Sequence, residues 1–322
     1  MASEPTLKHE DSQETIISLQ QLDPSPIDTP YEELSPLSDE GLESSTSTLV
    51  SPLGRSASSL GLSGNGHGPI FYLTRIQRYS SYTFTFFAGL HLTNTSLIPM
   101  IYRSVPYSEP FFLLTRELYQ TRFTEPLLVG LPVLAHVASG VAIRLIRRHQ
   151  NKRRYYGDSK PPSSWTSSSA RIWPAFNNVA ASGYVFTAVL SAHVAMNRLL
   201  PLVIDGDSSN IGLGYVAHGF ARHPASAWAS YILLLSVGAG HMVWGMAKWL
   251  ELAPPANWKK ITFDKAMRKQ RRRAWWTVNA TAASLAALWA VGGLGVVARG
   301  GLAYGWLATV YDRIYAVVGW TS

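Results

Sequence analysis

The sequence contains no cysteine among its 322 residues. Disulfides, thiolate metal sites and a cysteine nucleophile are therefore excluded for this chain. Acidic residues are also missing from its long apolar runs, and without thiolates or carboxylates we expect no metal site there. We find no nucleophile with a base in reach and no metal-hydrolase motif, so we do not expect an enzyme.

Two kinds of targeting signal are also missing. The first residues lack the basic region and apolar core of a secretory signal, and they are acidic, unlike an arginine-rich transit peptide. If the chain belongs to an organelle, we therefore expect its targeting signal to lie in the membrane spans. The chain has no ladder of basic and aromatic residues of the kind that binds single-stranded nucleic acid, and we expect no nucleic-acid partner.

Charged residues are absent from five long apolar runs. The hydrocarbon core of a bilayer is crossed by about 20 helical residues, so each run predicts a membrane-spanning helix. The predicted class is an all-α membrane protein with a five-span helical bundle. The five runs are 80–102, 126–143, 175–197, 224–247 and 274–298. Segment 300–322 is apolar but contains Asp312 and Arg313, which predicts an interfacial helix, with a sixth span as the alternative.

Charge is distributed unevenly along the chain. Residues 1–60 contain eleven Asp or Glu and two Lys or Arg, a net charge of −9, while the whole chain carries +8. The composition of 1–68 predicts a disordered acidic arm. The loops after the second and fourth spans are strongly basic, and the other two are nearly neutral. The positive-inside rule then places the basic loops and the arm in the cytosol, beside an anionic lipid bilayer.

The predicted spans contain an internal repeat. A histidine followed eight residues later by proline recurs at an offset of 102 residues, and a histidine followed four residues later by glycine recurs at an offset of 105. This predicts a duplicated two-helix hairpin, 79–146 and 175–250, joined by a basic loop, 147–174, and followed by the fifth span. The matched pairs are His91/Pro99 with His193/Pro201, and His136/Gly140 with His241/Gly245.

The four repeated histidines are the candidate cofactor-binding residues: His91, His136, His193 and His241. Imidazole inside a membrane is costly unless it is bonded or ligated. We expect the four at similar depth, and two facing histidines can ligate one b-type haem, with Gly140 and Gly245 leaving room for the macrocycle. The arrangement loosely resembles the haem-holding membrane anchors of succinate dehydrogenase and fumarate reductase.

The alternative is that these histidines hydrogen-bond between helices, with Ser139, Asn94 or Asn197 as partners. Two further histidines, His218 and His223, are interpreted as loop residues.

The acidic arm contains the stretch Leu19-x-x-Leu22-x-Pro24-x-Pro26. Pro-x-Pro restricts the chain to extended or polyproline-like shapes, which lowers the entropy lost on docking, and the two leucines can fill an apolar groove. The arm is therefore predicted to hold a protein partner at the membrane.

Together with the repeated-histidine bundle, this stretch resembles the fungal mitochondrial outer-membrane adaptors of the Mdm-ten-complementing type. The resemblance implies that Leu19, Leu22, Pro24 and Pro26 bind the adaptor-binding domain of the bridge-like lipid-transfer protein called vacuolar protein sorting thirteen. It also implies a cytosolic amino terminus and a role in phospholipid transfer between vacuole or endosome and mitochondrion.

Two other functions remain open. One is a haem-binding membrane protein whose active part is the bundle. The other is a lipid scramblase that uses the polar span residues, which are Asn94, Thr95, Asn178 and Asn197. Small residues in the fifth span allow close packing either within the bundle or in a homo-oligomer.

Overall fold

The computed structural model describes residues 68–157, 172–317 and 319. Every regular element in these ranges is helical, which confirms the all-α class. The arm and its predicted binding positions, Leu19, Leu22, Pro24 and Pro26, lie outside the described residues, as does the middle of the basic loop.

The described residues form eleven α-helices, three π-helical turns and one short 3-10 helix. The α-helices are α1 Pro69–Leu92, α2 Ile98–Tyr102, α3 Val105–Tyr119, α4 Leu131–Tyr156, α5 Asn178–Val194, α6 Leu200–Asp205, α7 Leu213–Arg222, α8 Pro224–Trp249, α9 Trp258–Ile261, α10 Lys265–Gly293 and α11 Gly305–Ala316. The π turns are Thr93–Leu97, Pro126–Gly130 and Ala195–Leu199, and the 3-10 helix is Val297–Arg299.

Four of the helical stretches in the described residues are long and apolar enough to cross a membrane: Pro126–Tyr156, Asn178–Asp205, Pro224–Trp249 and Lys265–Arg299. They contain the second to fifth predicted spans. The first predicted span lies in helix that continues from α1 through a π turn to α2, but this stretch is not one of the four. Its many Ser, Thr and Tyr residues lower its mean hydropathy.

Each π turn precedes a helix whose second residue is a proline. These prolines are Pro99, Pro132 and Pro201. Proline has no N–H to donate, and its ring crowds the preceding turn, so the helix widens there instead of breaking. The π turns at 93–97 and 195–199 are 102 residues apart, the same offset that separates His91 from His193.

The long helices pack as two hairpins and a fifth helix. In the first hairpin α1 packs along α4, and in the second α5 packs along α8. Helix α10 packs against α8 and against the π turn of the first hairpin. Ser96 fixes this last contact, because its Oγ donates to Leu288 O at 2.7 Å and accepts from the Gly292 N–H at 3.2 Å.

The two ends of the bundle differ in charge. Arg78 near the start of α1 donates to Trp249 O at the end of α8 (3.1 Å), so these elements meet at one end. The basic segments 144–154 and 259–273 lie at this same basic end. Helices α3, α7 and α11, called the cap below, close the opposite end. Helices α7 and α11 share a core of Tyr215, Tyr311, Ile314, Tyr315 and neighbouring Ile211. Helix α3 packs through Val105 against Leu213 of α7 and Val297.

Candidate histidine site

His91 and His193 form the first histidine pair. They lie in the last turns of α1 and α5, directly before the matched π turns, and their ring centroids are 6.2 Å apart with the rings nearly perpendicular. Thr95 Oγ1 donates to His91 O (2.7 Å), and Asn197 Nδ2 donates to His193 O (2.9 Å). These bonds occupy the same position in each hairpin, so both rings are presented from equivalent turns.

Aromatic side chains enclose this pair. Phe87 stacks on His91 with centroids 5.7 Å apart, Trp289 contacts His91 at 6.4 Å, and Tyr231 contacts His193 at 5.6 Å. The Nδ1 of His91 is buried and has no hydrogen-bond partner among the described residues. A buried polar atom without a partner is uncommon in proteins, and an absent ligand is one explanation.

His136 and His241 form the second pair, with centroids 6.2 Å apart and the rings again nearly perpendicular. The Nδ1 of His136 lies 3.0 Å from Gln77 O, and the Nδ1 of His241 lies 3.2 Å from Val179 O. Gln77 and Val179 are 102 residues apart, so the same contact occurs in both hairpins. With Nδ1–H donating to a carbonyl, Nε2 is the nitrogen left for a ligand. Metal-ligating histidines have this arrangement.

The structure corrects the expected depth of the histidines and shows how they pair. Each pair joins the two hairpins, and the two pairs do not share a depth. His136 meets Gln77, which is 14 residues before His91 on α1, a distance of about 21 Å along the helix. Two separate histidine sites therefore replace the single layer that the sequence predicts.

The glycines near the second pair also differ from expectation. A Cβ on Gly140 would lie 2.8 Å from Gln77 Nε2, so Gly140 makes room for a side chain of α1. Nothing lies within 4 Å of the corresponding position on Gly245. Gly183 is the close neighbour, because its Cβ would lie 2.8 Å from Cε1 of His241. The space at Gly140 is therefore taken by Gln77, whereas the space at Gly245 is open.

The histidine pairs fit the donor set of a b-type haem. In each pair two imidazole rings lie with centroids 6.2 Å apart, and imidazole is a ligand that proteins supply to haem. The main chains pack closely within each hairpin and against α10, whereas α1 and α4 make few close main-chain approaches to α5 and α8. The histidine rings bridge the space between the hairpins.

The predicted hydrogen-bond partners are only partly used. Asn197 Nδ2 lies 3.3 Å from His193 Nδ1. Ser139 donates to the backbone of its own helix, and Asn94 bonds to Leu90 O and accepts from Thr115. No group of three His, Asp or Glu side chains able to hold a metal occurs in the described ranges.

Charged residues of the cap form a second constellation that the sequence analysis missed. The Glu109 carboxylate of α3 accepts the N–H groups of Leu213 (3.0 Å) and Gly214 (3.2 Å) at the start of α7. Burial raises the pKa of Glu109 and lowers the pKa of Arg116, which donates to Ile211 O. The sequence does contain one indication of this site, because Glu109 is an acidic residue within a largely apolar helix.

Two ion pairs lie near the cap. Arg198 of the π turn after α5 binds both carboxylate oxygens of Glu125, in the segment before α4, and so links the two hairpins. Arg313 of α11 binds Asp205 of α6, which fixes the cap to the second hairpin.

His218 is not a loop residue, which corrects the prediction for it. It lies in α7 and is 1% exposed, and its Nε2 is 3.0 Å from Asp312 Oδ1. Its Nδ1 accepts the N–H of Ala303 (3.1 Å), so Nε2 carries the proton and donates to Asp312. Arg222 binds the same carboxylate through two nitrogens, and this bond holds the pKa of Asp312 down at about 2.

Comparison with known proteins identifies part of the chain. No curated protein and no solved structure matches it. Residues 188–302 match the family model described as the transmembrane domain of MDM10-complementing protein 1. The match begins in α5 and includes α6 to α10 with His193 and His241. Residues 188–302 are therefore similar to the transmembrane domain of that family.

Proposed function

We propose that the protein is an adaptor of the mitochondrial outer membrane. Its bundle anchors it, and its arm recruits a bridge-like lipid-transfer protein, vacuolar protein sorting thirteen, through Leu19, Leu22, Pro24 and Pro26. The observation that carries this proposal is the family match at 188–302 in a chain that also contains the Pro-x-Pro stretch. Recruitment would support phospholipid transfer at contacts between mitochondria and vacuoles or endosomes.

The charge of the two ends supports a cytosolic arm. The first described helix starts at the basic end, beside the last residues of α8. Lys and Arg residues next to spans favour the cytosolic side, so the arm would leave the membrane there. Its own net charge of −9 would keep it away from an anionic bilayer and available to a partner.

A fifth span is part of the proposal. The helix that includes α1, a π turn and α2 runs from 69 to 102, and its charged residues Arg75 and Arg78 lie at the basic end. Its hydroxyl groups are bonded to the preceding turn, as in Thr85 to Ser81 O (2.8 Å) and Thr93 to Gly89 O (2.9 Å). Bonded hydroxyls lower the cost of placing Ser and Thr in a membrane.

We further propose that the two hairpins arose by duplication. The offset of 102 residues recurs in the π turns, in the His91–His193 pair and in the carbonyl partners Gln77 and Val179. Under this proposal the repeats correspond to 79–146 and 175–250, with 274–298 as an added helix.

Binding of the arm is tested by pull-down of the purified adaptor-binding domain with the full-length protein in detergent. The Pro24→Ala/Pro26→Ala variant should lose at least tenfold in binding, and Leu19→Ala/Leu22→Ala should also weaken it. The matched control is Pro36→Ala/Pro52→Ala, which changes two other prolines of the same arm. Equal binding by the Pro24/Pro26 variant and the control would refute the motif.

Haem binding is a second candidate function, favoured by the Nδ1–carbonyl bonds of His136 and His241. A b-type haem held there would supply a one-electron redox couple. His91 with His193, and His136 with His241, would hold the group from two different hairpins, and Gln77 O and Val179 O orient the second pair. Lipid scrambling along Asn94, Thr95, Asn178 and Asn197 stays a prediction. The amides and hydroxyls of Asn94, Thr95 and Asn197 are bonded within the bundle.

The test for haem compares double variants within one histidine pair with double variants that affect both pairs. Purified protein is titrated with haemin, and the reduced-minus-oxidised spectrum gives the haem bound per chain. The double variant His91→Ala/His193→Ala should lose one of two haems, whereas His91→Ala/His136→Ala should lose both. His149→Ala, at an exposed histidine on the basic end of α4, is the control. No Soret band in folded protein would exclude this function and leave the adaptor proposal standing.

A further inference from the structure

A cavity of about 270 Å³ lies on the cap side of the second hairpin. Its walls come from α5 and the following π turn, from α8, and from α7, which closes it toward the cap. Ala192 and Met196 line one wall, Ala227 and Leu234 line the opposite wall, and Phe220 lies at the closed end. Apart from a few polar groups, the cavity is lined by hydrocarbon.

Five polar side chains line its wall, and each has a hydrogen-bond partner: His193, Asn197, Ser230, Tyr231 and Tyr315. Tyr231 Oη donates to Asn197 Oδ1 (3.3 Å), and Asn197 Nδ2 donates to His193 O. Ser230 Oγ donates to Ala227 O (3.0 Å). Water needs two to four polar partners to occupy a cavity, and an apolar cavity of about 150 Å³ stays dry and binds benzene. A larger apolar cavity therefore selects an apolar occupant.

The cavity is closed at one end and reachable from the side of the bundle. Phe220 and Ala227 are 3% and 4% exposed. Ala192 on α5 and Ser230 on α8 also line the cavity, yet both are exposed on the outer surface of the membrane helices. Their small side chains leave a gap between the helices. The wall from Ala227 to Leu234 is about 10 Å long and lies in the cap-side part of span α8.

We propose that this cavity binds one acyl chain of a membrane phospholipid, which enters sideways between Ala192 and Ser230. An unfilled cavity destabilises a protein in proportion to its volume, and the surrounding bilayer supplies hydrocarbon chains directly at the gap. The headgroup stays in the bilayer interface near the cap. This site is distinct from the adaptor motif. Its wall includes His193, whose ring contacts His91.

The test uses full-length protein in vesicles of phosphatidylcholine that contain a phosphatidylcholine with a photoreactive diazirine at the end of one chain. After illumination, adducts are mapped by mass spectrometry. We expect them at Met196, Phe220 and Leu234, which face the cavity. Adducts confined to outward-facing residues such as Ile232 would overturn the proposal. This outcome is read from the unaltered protein, so it does not depend on whether any variant folds.

A second experiment blocks the gap between Ala192 and Ser230. Ala192→Leu/Ser230→Leu should reduce adducts in the cavity at least fivefold. The control, Ala188→Leu/Ala229→Leu, enlarges exposed alanines next to the gap that do not line the cavity, and should leave the adducts unchanged. Equal loss in both variants would contradict entry at this gap. Two outcomes would show that another ligand binds in the cavity. In the first, cholesterol removes the adducts and unlabelled phosphatidylcholine does not. In the second, stoichiometric haemin removes them.

Discussion

At the scale of single residues, two acids of the cap have opposite pKa directions. Hydrogen bonding to Arg222 lowers the pKa of Asp312 to about 2, whereas burial raises the pKa of Glu109. A carboxyl with a lowered pKa stabilises the fold above its unfolded pKa, and that contribution is lost as the pH falls. As the pH falls, protonation of Asp312 removes a stabilising contribution, whereas protonation of Glu109 removes a buried charge and stabilises the fold.

Asp312→Asn should make the cap less sensitive to acid. In the unaltered protein, the contribution of Asp312 is complete above about pH 4 and is lost as the pH falls toward 2. The variant should melt at a lower temperature at pH 6 and lose less on acidification. The measurement is thermal unfolding in detergent between pH 6 and 2.5. Glu117→Gln, a change in the same cap, is the control, and identical pH profiles for Asp312→Asn and the unaltered protein would contradict the ion-pair role.

Glu109 should matter as an acceptor more than as a charge. It caps the start of α7 from a different helix, and a lost helix cap costs about 1–2 kcal/mol. Glu109→Ala should therefore lower the free energy of unfolding at pH 7 by about that amount. Glu109→Gln keeps an acceptor oxygen and avoids the buried charge, so it should retain most of the stability. If both variants lose the same free energy of unfolding, the negative charge is the required feature.

At the scale of elements, the packing of α10 on the first hairpin depends on one glycine, Gly292. A Cβ on Gly292 would collide with the main chain of Ser96, whereas on Gly293 the nearest atom would be 3.7 Å away. The fifth helix therefore has no freedom to carry a side chain at 292.

Gly292→Ala should push α10 away from the first hairpin and destabilise the protein by about 1–3 kcal/mol. Gly293→Ala should be neutral or slightly stabilising, because alanine favours helix over glycine. The pair is compared by thermal unfolding in the same detergent. Equal melting temperatures would mean that α10 does not pack on Ser96 as the structure describes.

The helices themselves could be predicted largely from the sequence, but the π turns and the cap could not. Uncharged runs of about 20 residues predict spans because the bilayer demands this length. The widening before Pro99 and Pro201 depends on neighbouring helices that keep the chain helical around a proline. The cap depends on distant partners: Glu109 meets Leu213, and Asp312 meets His218.

At the scale of the whole molecule, the basic end and the cap lie on opposite sides of the proposed membrane. The missing cysteines allow this to be tested directly, since any single introduced cysteine is unique in the chain. Tyr155 at the end of α4 and Ser209 in the loop before α7 are both exposed.

Tyr155→Cys should react in intact mitochondria with a maleimide attached to a polyethylene glycol chain too large for the pores of the outer membrane. Ser209→Cys should react only after the outer membrane is opened, because the cap would face the intermembrane space. The cysteine-free protein is the control for background labelling. Labelling of Ser209→Cys before rupture, with Tyr155→Cys protected, would reverse the orientation and remove the arm from the cytosol.

The sequence by itself determined the helical class, the apolar runs, the charge of the two ends and the identity of the four candidate histidines. These follow from composition and spacing, which act locally along the chain. Only the tertiary structure decided that His91 pairs with His193 and His136 with His241, at two depths. That pairing depends on how two hairpins face each other, and no periodicity within one helix specifies it.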